Sequence, residues 1–263
     1  MALAGVLGYP VGHSRSPAMM AAAFLELGLD WRYVRLPVPP ALFEETARAL
    51  VRSGYVGVNV TIPHKLSARK LADEASPAAE AIGAANTLSF ADGRIRADNT
   101  DAAGLIAALA EPVAGRRALV LGAGGAGRAS AWALREAGAE VSVWNRTPGR
   151  AAALAAELGV RHADMPGPTD VLVNATSVGL MPALDEDDAL AALGLEGIAP
   201  PETVVDLVYG DRPTPLWSWA SRGDGRVVGG LEVLVRQGAL SFELWTGQTA
   251  PVDAMRHALA GDA

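Results

Sequence analysis

The sequence contains no cysteine, which excludes a disulfide framework, thiolate nucleophiles and Cys-type zinc sites and fits a reducing compartment. Any redox chemistry then needs a cofactor. Aromatic residues make up only 5%, and lysine occurs just twice, at Lys65 and Lys70, so the rest of the 22 basic residues are arginine. A lysine kept in so arginine-biased a chain marks a place needing what arginine cannot do, which is to lose a proton; chance survival is the plain alternative. Positive charge is also scarce overall. The 22 basic residues stand against 29 acidic ones for a net charge of −7, and no basic block breaks that balance, which speaks against nucleic acid and anionic membranes as partners. Long apolar runs are missing too: Ala18 to Leu25 ends at Glu26, far short of the ~18 residues of a spanning helix, with no charged segment before it. The chain reads as soluble and cytoplasmic.

What is present points to a folded α/β chain. With 263 residues, 50% hydrophobic and 19% charged, it can bury a sizeable core, and at roughly 150 residues per domain two modest domains are expected. Apolar runs alternate with helical patterns. Strands are expected over 3–8, 31–36 and 57–62, and helices over 17–27 and 41–52, each helix stopped by a glycine. Runs 85–90 and 94–97 flank Asp92-Gly93, a hairpin signal that predicts an antiparallel edge. After a linker at 110–115 a new unit opens with a strand at 118–122. Helix 126–137, strand 140–144, helix 148–158, and strands 171–174, 203–207 and 226–228 follow, then helices 231–245 and 252–259. This alternation predicts two mostly parallel sheets with helices on their faces, and ligands at the strand C-termini, in the cleft between two such domains.

After the strand ending at Leu121 comes Gly122-Ala-Gly124-Gly125-Ala126-Gly127, a G-x-G-x-x-G pattern in the strand-turn-helix context a dinucleotide site requires. The first glycine permits the turn, the second lets backbone N–H groups approach a pyrophosphate, and the third lets helix pack on strand. A glycine-rich turn without a ligand is the bland reading. About 20 residues on, where an NAD enzyme carries an acid for the ribose, the chain reads Asn145-Arg146-Thr147-Pro-Gly-Arg150. An amide, a hydroxyl and two guanidiniums suit a 2′-phosphate, so NADP is expected over NAD.

Lys65 follows Pro63 in the first turn of a predicted helix. A cation there opposes the helix dipole, which eases release of its proton and suits a general acid or base; an exposed lysine with no role is the alternative. Asp101 begins another helical run, where a cap is the common role. Ser14 and Ser16 offer two hydroxyls before a helix, able to hold a carboxylate or simply to cap. His13 and His64 lack partners at metal spacing, so no metal is assigned. The acidic run 185–188 reads as a solvated loop or helix start.

Taken together, Gly12-His-Ser-Arg-Ser16-Pro17, Asn59-Val-Thr61-Ile-Pro-His-Lys65, Gly83-Ala-Ala-Asn86-Thr87, Asn99-Thr-Asp101, the glycine loop, Asn145-Arg-Thr147, Asn174-Ala-Thr176-Ser177, Asp206-Leu-Val-Tyr209, Gly230-Leu-Glu and Gln237-Gly-Ala-Leu-Ser-Phe-Glu-Leu-Trp-Thr-Gly247 resemble the shikimate dehydrogenase family. The resemblance covers essentially the whole chain. It implies a reversible, NADP-dependent interconversion of 3-dehydroshikimate and shikimate in the pathway to aromatic amino acids. Lys65 and Asp101 match the family's catalytic pair, and Ser14, Ser16 and Thr61 match its substrate-carboxylate contacts. Asn86, Asp101 and Gln237 match groups that hold ring hydroxyls, Tyr209 lies at the substrate and nicotinamide end, and Thr176 and Gly230 match cofactor contacts. The implied domains are 1–101, completed by the C-terminal helices of 238–263, for substrate, and 102–237, of Rossmann type, for NADP. A homodimer is compatible with this. Val178 and Val233 depart from the family's usual residues and bear on cofactor affinity. Two other readings stay open: a quinate/shikimate dehydrogenase with broader substrate or NAD use, and a non-catalytic NADP-binding regulatory module, which would not need Lys65 together with Asp101.

Overall fold

A computed structural model of the chain describes residues 1–180 and 184–260. It divides into two compact units, one of residues 1–104 and 234–263 and the other of residues 105–233.

The first unit is built on β1 (Ala2–Gly8), α1 (Ser16–Glu26), β2 (Trp31–Pro37), α2 (Phe43–Arg52), β3 (Tyr55–Val60), α3 (Lys65–Leu71), β4 (Glu74–Ala75), α4 (Pro77–Ile82), β5 (Thr87–Ala91), β6 (Arg94–Asp98) and the start of α5 (Thr100–Leu109). Its sheet runs β2-β1-β3-β5-β6-β4. β1 pairs parallel with β2 and β3, whereas β5 is antiparallel to both β3 and β6. The β5–β6 hairpin turns through Asp92 and Gly93 at φ 51° and 75°, the positive pair a tight two-residue turn requires. It does not form the sheet edge that the sequence suggested. The two-residue β4 adds in parallel outside β6, because Asp73 fixes the approach of its segment by accepting the Ile95 N–H at 2.8 Å. One face buries Leu7, Val58, Val60, Leu88 and Ile95 against Phe43 and Leu50 of α2.

The second unit comprises β7 (Arg117–Leu121), α6 (Gly125–Glu136), β8 (Glu140–Trp144), α7 (Pro148–Leu158), β9 (Arg161–His162), β10 (Val171–Asn174), α8 (Glu186–Leu193), β11 (Thr203–Asp206), α9 (Pro215–Ala220), β12 (Arg226–Gly229) and the first turn of α10 (Gly230–Thr246). The rest of α10 and α11 (Val252–Ala260) belong to the first unit. The second sheet is parallel throughout, in the order β12-β11-β10-β7-β8-β9, which is the doubly wound order of a dinucleotide-binding fold. Alternation along its strands splits the core by face. Ala118, Val120, Val171 and Val173 pack with α6 and α7, and Leu119, Leu121, Leu172 and Val204 pack with α8 and α9. The acidic run proves to be a helix start, with Asp185 capping α8 by accepting the Asp188 N–H at 2.8 Å. No described helix is long and apolar enough to cross a membrane.

The boundaries fall at 104/105 and 233/234 rather than at 101/102 and 237/238. The reason is packing within the first unit. A Cβ added to Gly104 would lie 2.8 Å from the backbone N and Cβ of Gln237, so the first turn of α5 and that segment of α10 touch backbone to backbone and stay together.

Candidate active site

In each sheet the chain leaves two neighbouring parallel strands in opposite directions, and loops at the C-terminal ends of those strands diverge to leave room for a ligand. In the first unit those strands are β1 and β3, followed by the loops that carry Ser14 and Ser16 and that lead from Thr61 to Lys65. In the second they are β7 and β10, followed by the glycine loop and by Asn174-Ala-Thr176.

Lys65 is the first residue of α3, and its Nζ donates to Asp101 Oδ2 at 2.6 Å. The two side chains are 13% and 19% exposed, shielded enough for the charges to matter and open enough to reach a ligand. Asp101 is not the cap of α5. That place belongs to Asn99, whose Oδ1 accepts the Ala102 N–H at 3.3 Å. Both Asp101 oxygens instead accept from side chains outside α5, since Oδ1 accepts from Asn86 Nδ2 at 2.9 Å. Asn86 Nδ2 also lies 3.0 Å from Gln237 Oε1. Four residues far apart in the sequence thus form one polar cluster, with the lysine as its only cation.

Ser14 and Ser16 are buried, and Ser14 Oγ accepts the Ser16 N–H at 3.3 Å. Neither caps α1 through its side chain, since the capping position is Arg15 and shows no such bond. Arg35, which sequence reasoning passed over, fixes this turn by donating through Nε and Nη2 to the Ser14 carbonyl at 3.0 and 2.6 Å. Thr61 is half-buried just beyond β3. His64 has a structural part: its Nε2 donates to the Val38 carbonyl at 2.8 Å, and the ring stacks on Phe43 at 4.6 Å. Burial holds its imidazole below the usual pKa, against the opposing effect of the Val38 bond. His13 is exposed at the surface, with its pKa lowered by desolvation and by Arg35. Among the described residues no cluster of three metal-ligating side chains occurs.

The glycine loop satisfies the steric tests for a dinucleotide. Gly122 adopts φ 110°, where a side chain would be strained, and Gly127 lies against the Gly122 carbonyl with no room for a Cβ. A Cβ at Gly124 would meet nothing within 4 Å, so that side of the loop is open. Gly124 also leads into α6 without a side-chain cap, leaving the first N–H groups of the helix, from Gly125 and Ala126 on, available to an anion. Asn145 ties the loop to the turn after β8: its Oδ1 accepts the Ala123 N–H at 3.2 Å and its Nδ2 donates to the Thr147 carbonyl at 3.0 Å. Arg146, Thr147 and Arg150 are exposed there, and α7 has no acidic residue in its first turn. These residues fit a phosphorylated dinucleotide.

The turn after β10 is organised by Asn174, whose Oδ1 accepts the Thr176 N–H and hydroxyl at 3.1 and 2.7 Å. Asn174 Nδ2 in turn donates to Asp206 Oδ1 at 2.9 Å. Asp206, 1% exposed, also accepts from Thr214 and from the Val208 N–H. Burial raises its pKa, and the bonds from Thr214, Val208 and Asn174 offset part of that. The loop it anchors carries Tyr209, which is half-buried. Gly230 opens α10 where a Cβ would lie 2.6 Å from the Leu207 carbonyl, so only glycine allows that helix to start so close to the loop.

Family models match most of this chain: the shikimate dehydrogenase substrate binding domain over residues 6–88, shikimate / quinate 5-dehydrogenase over 105–177, and the shikimate 5'-dehydrogenase C-terminal domain over 230–260. A shikimate dehydrogenase (NADP(+)) of Methanopyrus kandleri is 43% identical, with 97% of this chain and 93% of the relative covered. A second, of Thermus thermophilus, is 46% identical, with 96% and 95% covered. Among solved structures, shikimate 5-dehydrogenase from Thermus thermophilus, in complex with NADP(H) and shikimate, superposes with a TM-score of 0.87 at 42% identity over 100% of both chains.

Proposed function

The chain belongs to the shikimate dehydrogenase family, and we propose that Lys65 and Asp101 carry its reaction, the reversible NADPH-dependent reduction of 3-dehydroshikimate to shikimate. It is an oxidoreductase acting on a CH–OH group, with NADP as its cofactor. Bound NADPH supplies the hydride that reduces the ring ketone. The remaining need is a proton and compensation for the charge that grows on the carbonyl oxygen, and this falls to Lys65.

An ammonium has three N–H donors. One is held by Asp101 at 2.6 Å, so two remain for the substrate, and one of these protons passes to the oxygen as it becomes an alkoxide. Asp101 keeps the lysine aimed and the charge balanced before transfer, and accepts from a neighbouring ring hydroxyl. Asn86 and Gln237 complete the hydroxyl-binding side. Ser14, Ser16 and Thr61 take the substrate carboxylate. In the second unit the N–H groups of 122–127 hold the pyrophosphate, while Asn145, Arg146, Thr147 and Arg150 hold the 2′-phosphate. Thr176, Tyr209 and Gly230 line the nicotinamide end. The carrying observation is the Lys65–Asp101 pair bridged through Asn86 to Gln237, which a non-catalytic dinucleotide-binding module has no use for. On its net charge of −7 and cysteine-free sequence we further place the enzyme in the cytoplasm, without a nucleic-acid partner.

The test follows nicotinamide absorbance with shikimate or quinate, each with NADP or NAD. Activity confined mainly to shikimate with NADP is expected, and Lys65→Ala should lower kcat by at least about 100-fold, within the range of a lost general acid, with NADP affinity unchanged. Comparable rates with quinate or NAD would move the chain to the quinate/shikimate reading, and an unchanged kcat in the variant would remove Lys65 from the chemistry.

A further inference from the structure

Behind the cluster of Lys65, Asp101, Asn86 and Gln237 lies a second layer of polar groups that the reaction does not use. Thr87 and Ser241 are fully buried and Thr100 is 4% exposed, yet their three hydroxyls sit within 3.3 Å of one another: Thr87 to Ser241 at 2.8 Å, Thr100 to Ser241 at 3.2 Å and Thr87 to Thr100 at 3.3 Å. Buried hydroxyls are retained where their bonds define something, because leaving one unpaired costs more than replacing it by carbon.

The polarity of this layer can be followed from its outer end. The Tyr33 hydroxyl donates to Asn59 Oδ1 at 2.7 Å, and the Asn86 carbonyl, which can only accept, fixes which way the Asn59 amide faces. Asn59 Nδ2 therefore points inward, to Ser241 Oγ at 2.8 Å, Thr87 Oγ1 at 3.1 Å and the Asn86 carbonyl at 3.2 Å. On the inner side Asn86 Oδ1 accepts the Thr100 N–H at 2.7 Å, so Asn86 Nδ2 must face Thr100 Oγ1 at 2.8 Å, Asp101 and Gln237. Gln237 Nε2 donates to the Leu234 carbonyl at 2.8 Å, which turns Gln237 Oε1 toward Asn86. Ser241 stands four residues beyond Gln237, on the same face of α10. It is where β3, β5, α5 and α10 share a hydrogen-bonded junction.

We infer that Ser241, tied to Asn59 and Tyr33 on one side and to the Gln237 backbone carbonyl at 3.1 Å on the other, is a positioning residue that pins the Thr87 and Thr100 hydroxyls behind Asn86 and so holds Asn86 and Gln237 at the spacing that recognises the substrate's ring hydroxyls. This rests on the assignment of Asn86 and Gln237 to those hydroxyls made above. Without the Ser241 hydroxyl, Thr87 and Thr100 lose their common partner, and the Thr100 hydroxyl that accepts from Asn86 Nδ2 at 2.8 Å is held less firmly, so Asn86 shifts in place while the Thr100 N–H keeps its amide direction. Lys65 and Asp101 keep their direct bond.

Ser241→Ala and Tyr33→Phe are compared with the unmodified enzyme in full kinetics for shikimate and NADP, with thermal melting measured alongside. Ser241→Ala should raise the shikimate KM about tenfold with kcat within about threefold and the NADP KM unchanged. Tyr33→Phe, which keeps the ring that packs on Trp245 at 6.3 Å, should shift the shikimate KM the same way by a smaller factor. A role in folding alone would lower the melting temperature and leave the shikimate KM of the folded enzyme unchanged, and that result in either variant overturns the inference. If Ser241→Ala does not fold, Tyr33→Phe decides. Turnover of shikimate by the unmodified enzyme with unchanged KM in the variants refutes the positioning role only, whereas no turnover by the unmodified enzyme refutes the functional assignment beneath it.

Discussion

Replacing Asp101 by Asn is the sharpest test of how the catalytic pair works, because the change preserves shape and removes one acceptor. In the native arrangement both oxygens accept: Oδ2 from Lys65 at 2.6 Å and Oδ1 from Asn86 at 2.9 Å. An amide offers one acceptor and one donor in those positions. Whichever way the substituted amide turns, an N–H faces either the Lys65 ammonium or the Asn86 amide, and that donor must move away. If Lys65 moves, its proton is no longer aimed; if Asn86 moves, the hydroxyl side loosens. A hydrogen bond involving a charged group contributes about 1.5–3 kcal/mol, and about 1.4 kcal/mol corresponds to a factor of ten. Asp101→Asn should therefore lower kcat/KM for shikimate by roughly ten- to a hundredfold. The assay is initial-rate absorbance at saturating NADP, with shikimate varied and the NADP KM measured in parallel. The NADP KM should not move, since the side-chain partners of Asp101, Lys65 and Asn86, both belong to the first unit. A loss below about threefold, or an equal change in the NADP KM, refutes the reasoning.

Two further outcomes follow from the second unit. Arg146→Ala should raise the NADP KM by about tenfold or more, the worth of one charge-assisted bond to phosphate, and leave the NAD KM nearly unchanged; equal changes in both would show that Arg146 does not contact the 2′-phosphate. Asp206→Asn should stabilise the protein relative to the parent as pH rises: burial raises the Asp206 pKa in the folded state, so the native protein gives up that proton less readily than the unfolded chain, and stability falls as pH climbs from the ordinary carboxylate range through the raised value. A melting-temperature difference between variant and parent that is flat from about pH 4 to 7, the interval above an ordinary Asp, would count against that sign.

Much of the fold was legible because local chemistry punctuates it. Strand Glu140–Trp144, helix Pro148–Leu158 and strand Val171–Asn174 have the limits the sequence suggests, since proline opens the helix, glycine closes it and the strands are short apolar runs. Local signals stop where a strand exists only by virtue of its neighbour. Glu74–Ala75 and Arg161–His162 are two residues long and have no period to detect; each is a strand only because a longer one lies alongside it. The hairpin through Asp92-Gly93 was readable as a turn, but its place inside the sheet was not, because the outer partner comes from earlier in the chain.

The site divides along the same line. The glycine loop could be recognised from its spacing between a predicted strand and a predicted helix, because it is one continuous turn. The pairing of Lys65 with Asp101 could not, since 36 positions separate them and an aspartate at a helix start is most simply a cap. What removes that reading is Asn99, which takes the capping bond itself and leaves Asp101 free to face Lys65. A partial signal existed for the supporting layer too: Asn59 is a lone amide within the apolar strand Tyr55–Val60, and Ser241 repeats the face of Gln237 one helical turn on. Gly104 follows the same pattern. It has no turn to make and its backbone is helical, so nothing local calls for glycine; the requirement comes from Gln237, whose backbone occupies the space a side chain would fill. The residues proposed to bind could be found one motif at a time, but those that hold the motifs in register are defined by contacts between segments far apart in the sequence.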